Sequence, residues 1–214
     1  TGHLWGIYAM LTLAAIFALG MMDMTPWQAL NYGLTGIATG GFGITNGSMG
    51  DFARSTQTLM MIIVILGAIN FGLYERIYNK DFKAVRQDSQ IIWYIPGLFV
   101  LFALLFIAHF LSRETNQDSA YALSDVIFHG VSASASAGFS TSPVSGFPAS
   151  IVLVLIIAMI IGGCKGSTAG GIKISRLKDF ISVVIHFFIA SRKRPEILFT
   201  FHGEAVKARF SKST

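Results

Sequence analysis

The sequence predicts an all-α integral membrane protein built from tandem repeats of span, short helix and span, and three observations lead there. Only 13% of its 214 residues are charged and 53% are hydrophobic, with a mean hydropathy of +0.61, whereas soluble domains carry about 25% charged residues. Apolar runs at 4–22, 57–74 and 91–111 are about 18 to 21 residues long, close to the roughly 20 that cross a hydrocarbon core as a helix. The third observation is internal self-similarity at an offset of 97 residues. QALNYGLTGIATGGFG at 28–43 falls on DVIFHGVSASASAGFS at 125–140, setting Gly33 on Gly130, Thr35 on Ser132, Thr39 on Ser136, Gly41 on Gly138 and Phe42 on Phe139.

The elements follow in order. After the span at 4–22, the Thr25 hydroxyl caps a short helix and Pro26 supplies a preset φ at its first position, with the helix running to Ile37. A small-residue loop leads to the span at 57–74, where Asn70 reads as an interhelical hydrogen-bonding residue. The second unit repeats this plan. A span at 91–111 precedes a short helix capped by Asp118 or Ser119 ahead of Ala120 and running to about Ser132. A final apolar run at 150–161 resumes at 172–190 after a Gly-rich break. Three segments result: a first unit with its linker at 1–90, a second unit at 91–190 whose break lies at 162–171, and a basic tail at 191–214. Trp5, Trp93, Tyr94 and Tyr74 lie near span ends and read as interface anchors.

The net charge of +5 does not indicate nucleic-acid binding, because the basic residues are distributed by topology. Arg76, Lys80, Lys83 and Arg86 fall in the linker, and Arg192, Lys193, Arg194, Lys207, Arg209 and Lys212 in or beside the tail. The segments at 23–56 and 112–149 contain Arg54 and Arg113 alone. By the positive-inside rule, 75–90 and the tail are cytoplasmic and the segments at 23–56 and 112–149 face outward, as expected of a multi-pass membrane protein. Cys164 is the only cysteine, which excludes an internal disulfide and a CxxC metal site. Starting at Thr1 with no signal peptide ahead of its first span, the chain is read as a fragment.

Helices of about 11 to 13 residues are too short to cross a bilayer, so the two short helices are expected to dip in and return. Non-helical backbone survives at that depth only inside protein or beside a water-filled cavity, because lipid offers no hydrogen-bond partner. A helix entering from outside points the negative end of its dipole inward, favouring a cation beyond it. There the chain reads Ala38-Thr39-Gly40-Gly41 and Ala135-Ser136-Ala137-Gly138. Small side chains leave the carbonyls accessible, glycine admits positive φ, and rings of carbonyls replace the hydration shell of a monovalent cation. The Phe after each final glycine is expected to wedge its loop against the surrounding helices. No apolar run carries an Asp or Glu in its middle, Asp179 lying near the cytoplasmic charges. That pattern favours neutral oxygens over a proton relay. His109, His129 and His186 are scattered over different elements and suggest no metal set.

The repeat with TGGFG and SAGFS, followed by GGCKGSTAGGIKISR at 162–176, resembles the Trk/Ktr/HKT superfamily of potassium transporters, in particular its bacterial Trk-type uptake membrane subunit. The resemblance covers nearly the whole chain and implies four span–pore helix–span repeats around one permeation path, with one filter glycine per loop. Those glycines are Gly41 and Gly138 here, where potassium would bind backbone oxygens, and re-entrant selectivity-filter loops complete the expected fold. It also implies that Gly162, Gly163, Cys164, Lys165, Gly166, Ser167, Thr168, Ala169, Gly170 and Gly171 form an intramembrane gating loop. The chain would then be repeats two and three, with the remaining two repeats of the same polypeptide completing the pore. Potassium is the substrate and no cofactor is expected in this chain. A homodimer and a cytoplasmic nucleotide-binding regulatory subunit are the implied partners, and the basic tail suits anionic lipid or that subunit.

Two features depart from the family's pattern. Two filter loops alone cannot close a four-fold pore, and Lys165 puts a cation inside the gating loop, where it either strengthens a barrier to potassium or pairs with an acid elsewhere. GGCKGSTAGG is not a phosphate-binding loop, because Lys165 is followed by Gly166 and no strand precedes it. A kink or a Gly166-xxx-Gly170 helix contact is the structural alternative for that stretch. Two rival functions stand beside transport: a non-conducting assembly subunit, and an intramembrane serine hydrolase using Ser140 or Ser145 with a histidine. The hydrolase reading leaves the repeat unexplained, since Gly43 occupies the position equivalent to Ser140.

Overall fold

The computed structural model describes residues 2–115, 121–192, 197–201 and 204–208. It divides into two compact units, Thr1–Ile174 and Ser175–Thr214. The first unit contains α1 (Gly2–Gly20), α2 (Pro26–Ile37), α3 (Arg54–Ala68), α4 (Phe71–Tyr78), α5 (Phe82–Arg86), α6 (Ser89–Thr115), α7 (Leu123–Ser134) and α8 (Ala149–Ile161). In the second, α9 (Ile174–Arg192) is followed by a two-stranded antiparallel ladder, β1 (Ile197–Phe201) with β2 (Glu204–Ala208), in which Phe199 pairs with Val206. The sequence reading placed no strands in this tail.

The 24 residues Ser89–Ser112 of α6 form a helix long and apolar enough to cross a membrane alone, as the run at 91–111 predicts. The run at 57–74 behaves differently. It is not one helix but two, α3 and α4, bent by 89°. Ile69 leaves the helix in an extended conformation, and the Asn70 side chain accepts the Gly72 N–H at 2.9 Å to start α4. Asn70 is therefore an N-cap, not the interhelical bridge expected of it. The break frees carbonyls that a continuous helix would have used. Leu66 O accepts from Tyr74 Oη at 2.7 Å, while Gly67 O and Ala68 O accept from residues of the Gly-rich loop.

The short helix α2 starts and ends where the sequence places it. Thr25 and Gln28 form a reciprocal capping box around the Pro26 start. Beside it, the Asp23 carboxylate accepts from the Thr56 hydroxyl and from the Ala53 N–H, and these two bonds hold its pKa below the ordinary carboxylate value. The second short helix begins later than predicted, at Leu123, and its first turn is closed by Asp125, whose Oδ2 accepts the Ala122 N–H at 3.0 Å. Asp118, Ser119 and Ala120 lie outside the described residues.

Small residues set the packing of both short helices. A Cβ on Gly33 would meet Ile16 of α1 at 2.5 Å, and one on Gly130, its partner in the repeat, would overlap Leu105 of α6. Each short helix thus nests on the span before it through the same position. The largest buried cluster joins the two repeats, bringing Tyr32, Met49, Met60 and Val64 together with Val131, Ala135, Phe139, Cys164 and Ala169.

Candidate functional site

The loops after α2 and α7 fold alike, hydrogen bond for hydrogen bond. After α2, Ala38 N donates to Leu34 O at 3.2 Å, Thr39 N to Gly36 O at 3.0 Å and Gly40 N to Thr35 O at 2.8 Å. After α7, Ala135 N donates to Val131 O at 3.1 Å, Ser136 N to Ala133 O at 2.9 Å and Ala137 N to Ser132 O at 2.8 Å. Both ends are Schellman closures, in which the residue after the cap takes left-handed backbone. That residue is Thr39 (φ 48°) in one copy and Ser136 (φ 52°) in the other, where glycine is usual. Two residues on, Gly41 (φ 70°) and Gly138 (φ 86°) are left-handed again, whereas Gly40 and Ala137 between them are not. The sign of φ therefore alternates over 39–41 and again over 136–138.

The two loops meet. A Cβ on Gly41 would overlap the Ala137 carbonyl oxygen and stand 3.1 Å from the Gly138 carbonyl carbon, and one on Gly138 would come within 3.9 Å of Gly41 Cα. Ala38, Thr39, Gly40 and Gly41 are thereby placed beside Ala135, Ser136, Ala137 and Gly138. Beyond the glycines the return strands stay paired: Met49 N donates to Ser140 O at 2.9 Å, and Gly50 lies so close that a Cβ there would be 2.5 Å from Thr141 O. Tyr32, fully buried, braces the first return strand through bonds to Thr45 Oγ1 (3.0 Å) and Ser48 O (3.3 Å).

The phenylalanines that follow the glycines differ. Phe139 is 2% exposed and packs on Tyr32 at 6.1 Å between ring centroids, as a wedge should. Phe42 is 76% exposed. The first repeat supplies the aromatic wall for the second repeat's Phe139, and among the described residues no preceding repeat supplies one for Phe42.

The Gly-rich loop at 162–171 lies against both the helix break and the paired loops. Cys164 N donates to Ala68 O at 3.1 Å, Thr168 N to Gly67 O at 3.2 Å, and Phe71 N to Gly166 O at 3.0 Å. Thr168 Oγ1 lies 2.7 Å from Ile37 O and 2.8 Å from Gly67 O. Ser167 Oγ donates to Cys164 O at 2.7 Å, closing the turn. A Cβ on Gly170 would come within 2.9 Å of Ser136 Cβ, one on Gly163 within 2.6 Å of Ala169 Cβ, and one on Gly162 would overlap Gly170 O, whose neighbour Gly171 packs back on Gly162. Left-handed backbone at Gly162, Gly166 and Gly171 makes this an irregular segment rather than a kinked helix. The Lys165 side chain is exposed, its N–H donates to Gln90 Oε1 at 2.7 Å, and no acid pairs with it among the described residues. Lys173 donates from Nζ to Ala169 O.

A further cluster, not anticipated from the sequence, joins the two repeats at the start of α3 and α7. Arg54 Nη1 donates to Asp125 Oδ1 at 2.5 Å, and Thr141 Oγ1 donates to the same oxygen at 2.9 Å. Burial pushes the Asp125 carboxyl up, but the bonds from Arg54, Ala122 and Thr141 outweigh it and leave the group below the ordinary carboxylate range. The signal available in the sequence was an acid in the first turn of a short helix, but its partner lies 71 residues away. The serine-hydrolase constellation is not assembled: His129 Nδ1 is bonded to Asp125 O at 2.8 Å, and no hydrogen bond joins Ser140 or Ser145 to a histidine among the described residues.

Comparison with known proteins agrees with this architecture. Residues 2–214 match the TrkH family model, described as cation transport protein. The chain is 32% identical over 190 residues to the Trk system potassium uptake protein TrkI of Halomonas elongata, covering 84% of this chain and 38% of that protein. It is 32% identical over 179 residues to TrkH of Vibrio parahaemolyticus, covering 81% and 36%. The crystal structure of the potassium transporter TrkH from Vibrio parahaemolyticus superposes with a TM-score of 0.73 at 27% identity, over 96% of this chain and 45% of that one. The chain thus spans under half the length of these relatives. With its repeated helix-and-loop units and this match along nearly its whole length, the chain belongs to the TrkH family of cation transport proteins, integral membrane proteins that are transporters rather than enzymes.

Proposed function

We propose that this chain contributes two adjacent walls of a potassium-uptake pore, with Gly41 and Gly138 as its filter glycines. The observation that carries the reading is the meeting of two loops with one backbone plan, each at the C-terminal end of a short helix. In this reading α2 and α7 are re-entrant from the outside. Their negative dipole ends and the carbonyls of 38–41 and 135–138 replace the water of a dehydrated potassium ion. Ions move inward down the electrochemical gradient, each gaining about 2.3 kcal/mol per 100 mV. No covalent chemistry is involved.

The loop at 162–171 is the gate. Its irregular backbone is tied to Ile37 O at the end of α2 and packs against Ser136, so its displacement alters the path just beyond the filter. Lys165, unpaired among the described residues, adds a positive barrier there. Two further repeats of the same polypeptide complete the ring, and the exposed Phe42 marks the side where the preceding repeat packs. The segment at 75–90 and the tail face the cytoplasm of an inner-membrane protein. The tail contacts lipid or a cytoplasmic nucleotide-binding regulatory subunit, and the whole protein is a homodimer.

Rubidium uptake by the full-length protein in potassium-starved, transport-deficient cells tests this reading. Saturable uptake is the expected result. A protein that reaches the membrane without restoring uptake is a non-conducting assembly subunit instead.

A further inference from the structure

We infer that Arg54, Asp125 and Thr141 form a positioning clamp that holds the spacing of the two filter loops and so sets discrimination among alkali cations. The inference rests on the filter reading above and extends it to residues outside the filter. The bonds form a closed circuit. Asp125 accepts from Arg54 (2.5 Å) and Thr141 (2.9 Å). Arg54 Nη1 also donates to Gln57 Oε1 at 3.0 Å, and Gln57 Nε2 donates to the carbonyls of Met49 and Phe52, each at 3.0 Å. Met49 N then donates to Ser140 O at 2.9 Å, and Ser140 precedes Thr141.

One frame therefore spans both return strands, entering the second only two and three residues after Gly138. The Arg54 side chain is 57% exposed and that of Asp125 only 9%. Solvent screens the guanidinium side of the pair, while the buried carboxylate is fixed in place by bonds from Arg54, Ala122 and Thr141, so the cluster constrains the geometry of what it joins. A ring of carbonyls discriminates ions through its size and through the number and field strength of its oxygens, and both depend on how far apart adjacent loops are held.

The test compares rubidium and sodium uptake by the full-length protein in potassium-starved, transport-deficient cells. Asp125→Asn and Arg54→Gln should lower the rubidium-over-sodium preference about tenfold, equivalent to about 1.4 kcal/mol of relative ion binding, while the maximal rubidium rate changes less than the preference. Asp125→Glu should recover part of the loss, and Thr141→Val should shift the preference in the same direction by a smaller factor. A merely structural role would lower both rates together and leave their ratio untouched, and that result overturns the clamp. If Asp125→Asn fails to reach the membrane, Thr141→Val decides alone. Gly138→Ser separates the two readings: an unchanged preference there sinks the filter assignment itself, whereas loss there with retention in Asp125→Asn and Thr141→Val sinks only the clamp.

Discussion

The Thr168 hydroxyl lies 2.7 Å from the carbonyl oxygen of Ile37, the last residue of α2. A single side chain of the Gly-rich loop thus touches the end of the helix that leads into the loop at 38–41. The same hydroxyl lies 2.8 Å from Gly67 O, at the break between α3 and α4. Its one hydrogen is shared between two carbonyls that a regular helix would have satisfied.

Thr168→Val keeps the shape and removes this bond, at a cost of about 1–3 kcal/mol for the Ile37 carbonyl left without it, while Gly67 O keeps the Thr168 N–H. The predicted result is a higher resting rubidium leak through the full-length protein, with Thr168→Ser close to the parent. A leak unchanged in Thr168→Val would separate this loop from gating.

Gly41 and Gly138, the proposed filter glycines, should not respond alike to alanine. At Gly41 the added methyl overlaps the Ala137 carbonyl oxygen and the backbone is left-handed; at Gly138 the backbone is left-handed but the space is open to 3.9 Å. Left-handed backbone costs a side-chain-bearing residue about 1–2 kcal/mol, and overlap adds to that only at Gly41. Rubidium uptake in Gly41→Ala is predicted to fall at least about tenfold below that in Gly138→Ala, a gap of about 1.4 kcal/mol. Equal losses would contradict the asymmetric contact.

Gly162 combines left-handed backbone (φ 68°) with a Cβ position that overlaps Gly170 O, while a Cβ on Gly146 meets nothing within 4 Å. Gly162→Ala should therefore lower the stability of the detergent-solubilised protein by about 2 kcal/mol or more, and Gly146→Ala should be close to neutral. Thermal melts of the two variants check this, and matching melts would argue against a packed loop.

Asp23 lies between α1 and α2, outside the spans, and its bonds from Thr56 and Ala53 lower its pKa. A carboxyl depressed in the folded state contributes stability that is present above its unfolded value of about 3.9 and is lost as pH falls through the folded value. Asp23→Asn should therefore melt below the parent at neutral pH, and the gap should close as pH drops under about 4. A gap that persists unchanged well below pH 4, through the range in which the folded carboxyl protonates, would remove the carboxylate from the account.

The sequence made the repeat legible because the features that define it are local. Thr25-Pro26 announces α2, and the small residues at 38–41 and 135–138 announce the loops; all follow from spacing within one turn. The break at 69–70 is hidden in the sequence because the run at 57–74 is predominantly apolar with Asn70 alone near its end, and Asn70 caps α4 only where the Gly-rich loop, about 100 residues later, bonds the interrupted backbone. Arg54 and Asp125 were illegible as a pair for the same reason. Arg54 reads as an outside cation and Asp125 as one residue of the repeated short helix, and only the folded return strands bring them together. The contrast between Phe42 and Phe139 is likewise a property of neighbours, since both follow the same motif.

A structure of the full-length protein with rubidium in place of potassium, phased on the ion's anomalous signal, tests the central claim most directly. The account predicts an ion peak within coordination distance of the carbonyl oxygens of 38–41 and 135–138, on the side where Gly41 and Gly138 adjoin. A filled site elsewhere, or these carbonyls turned toward lipid with no ion between them, would contradict it.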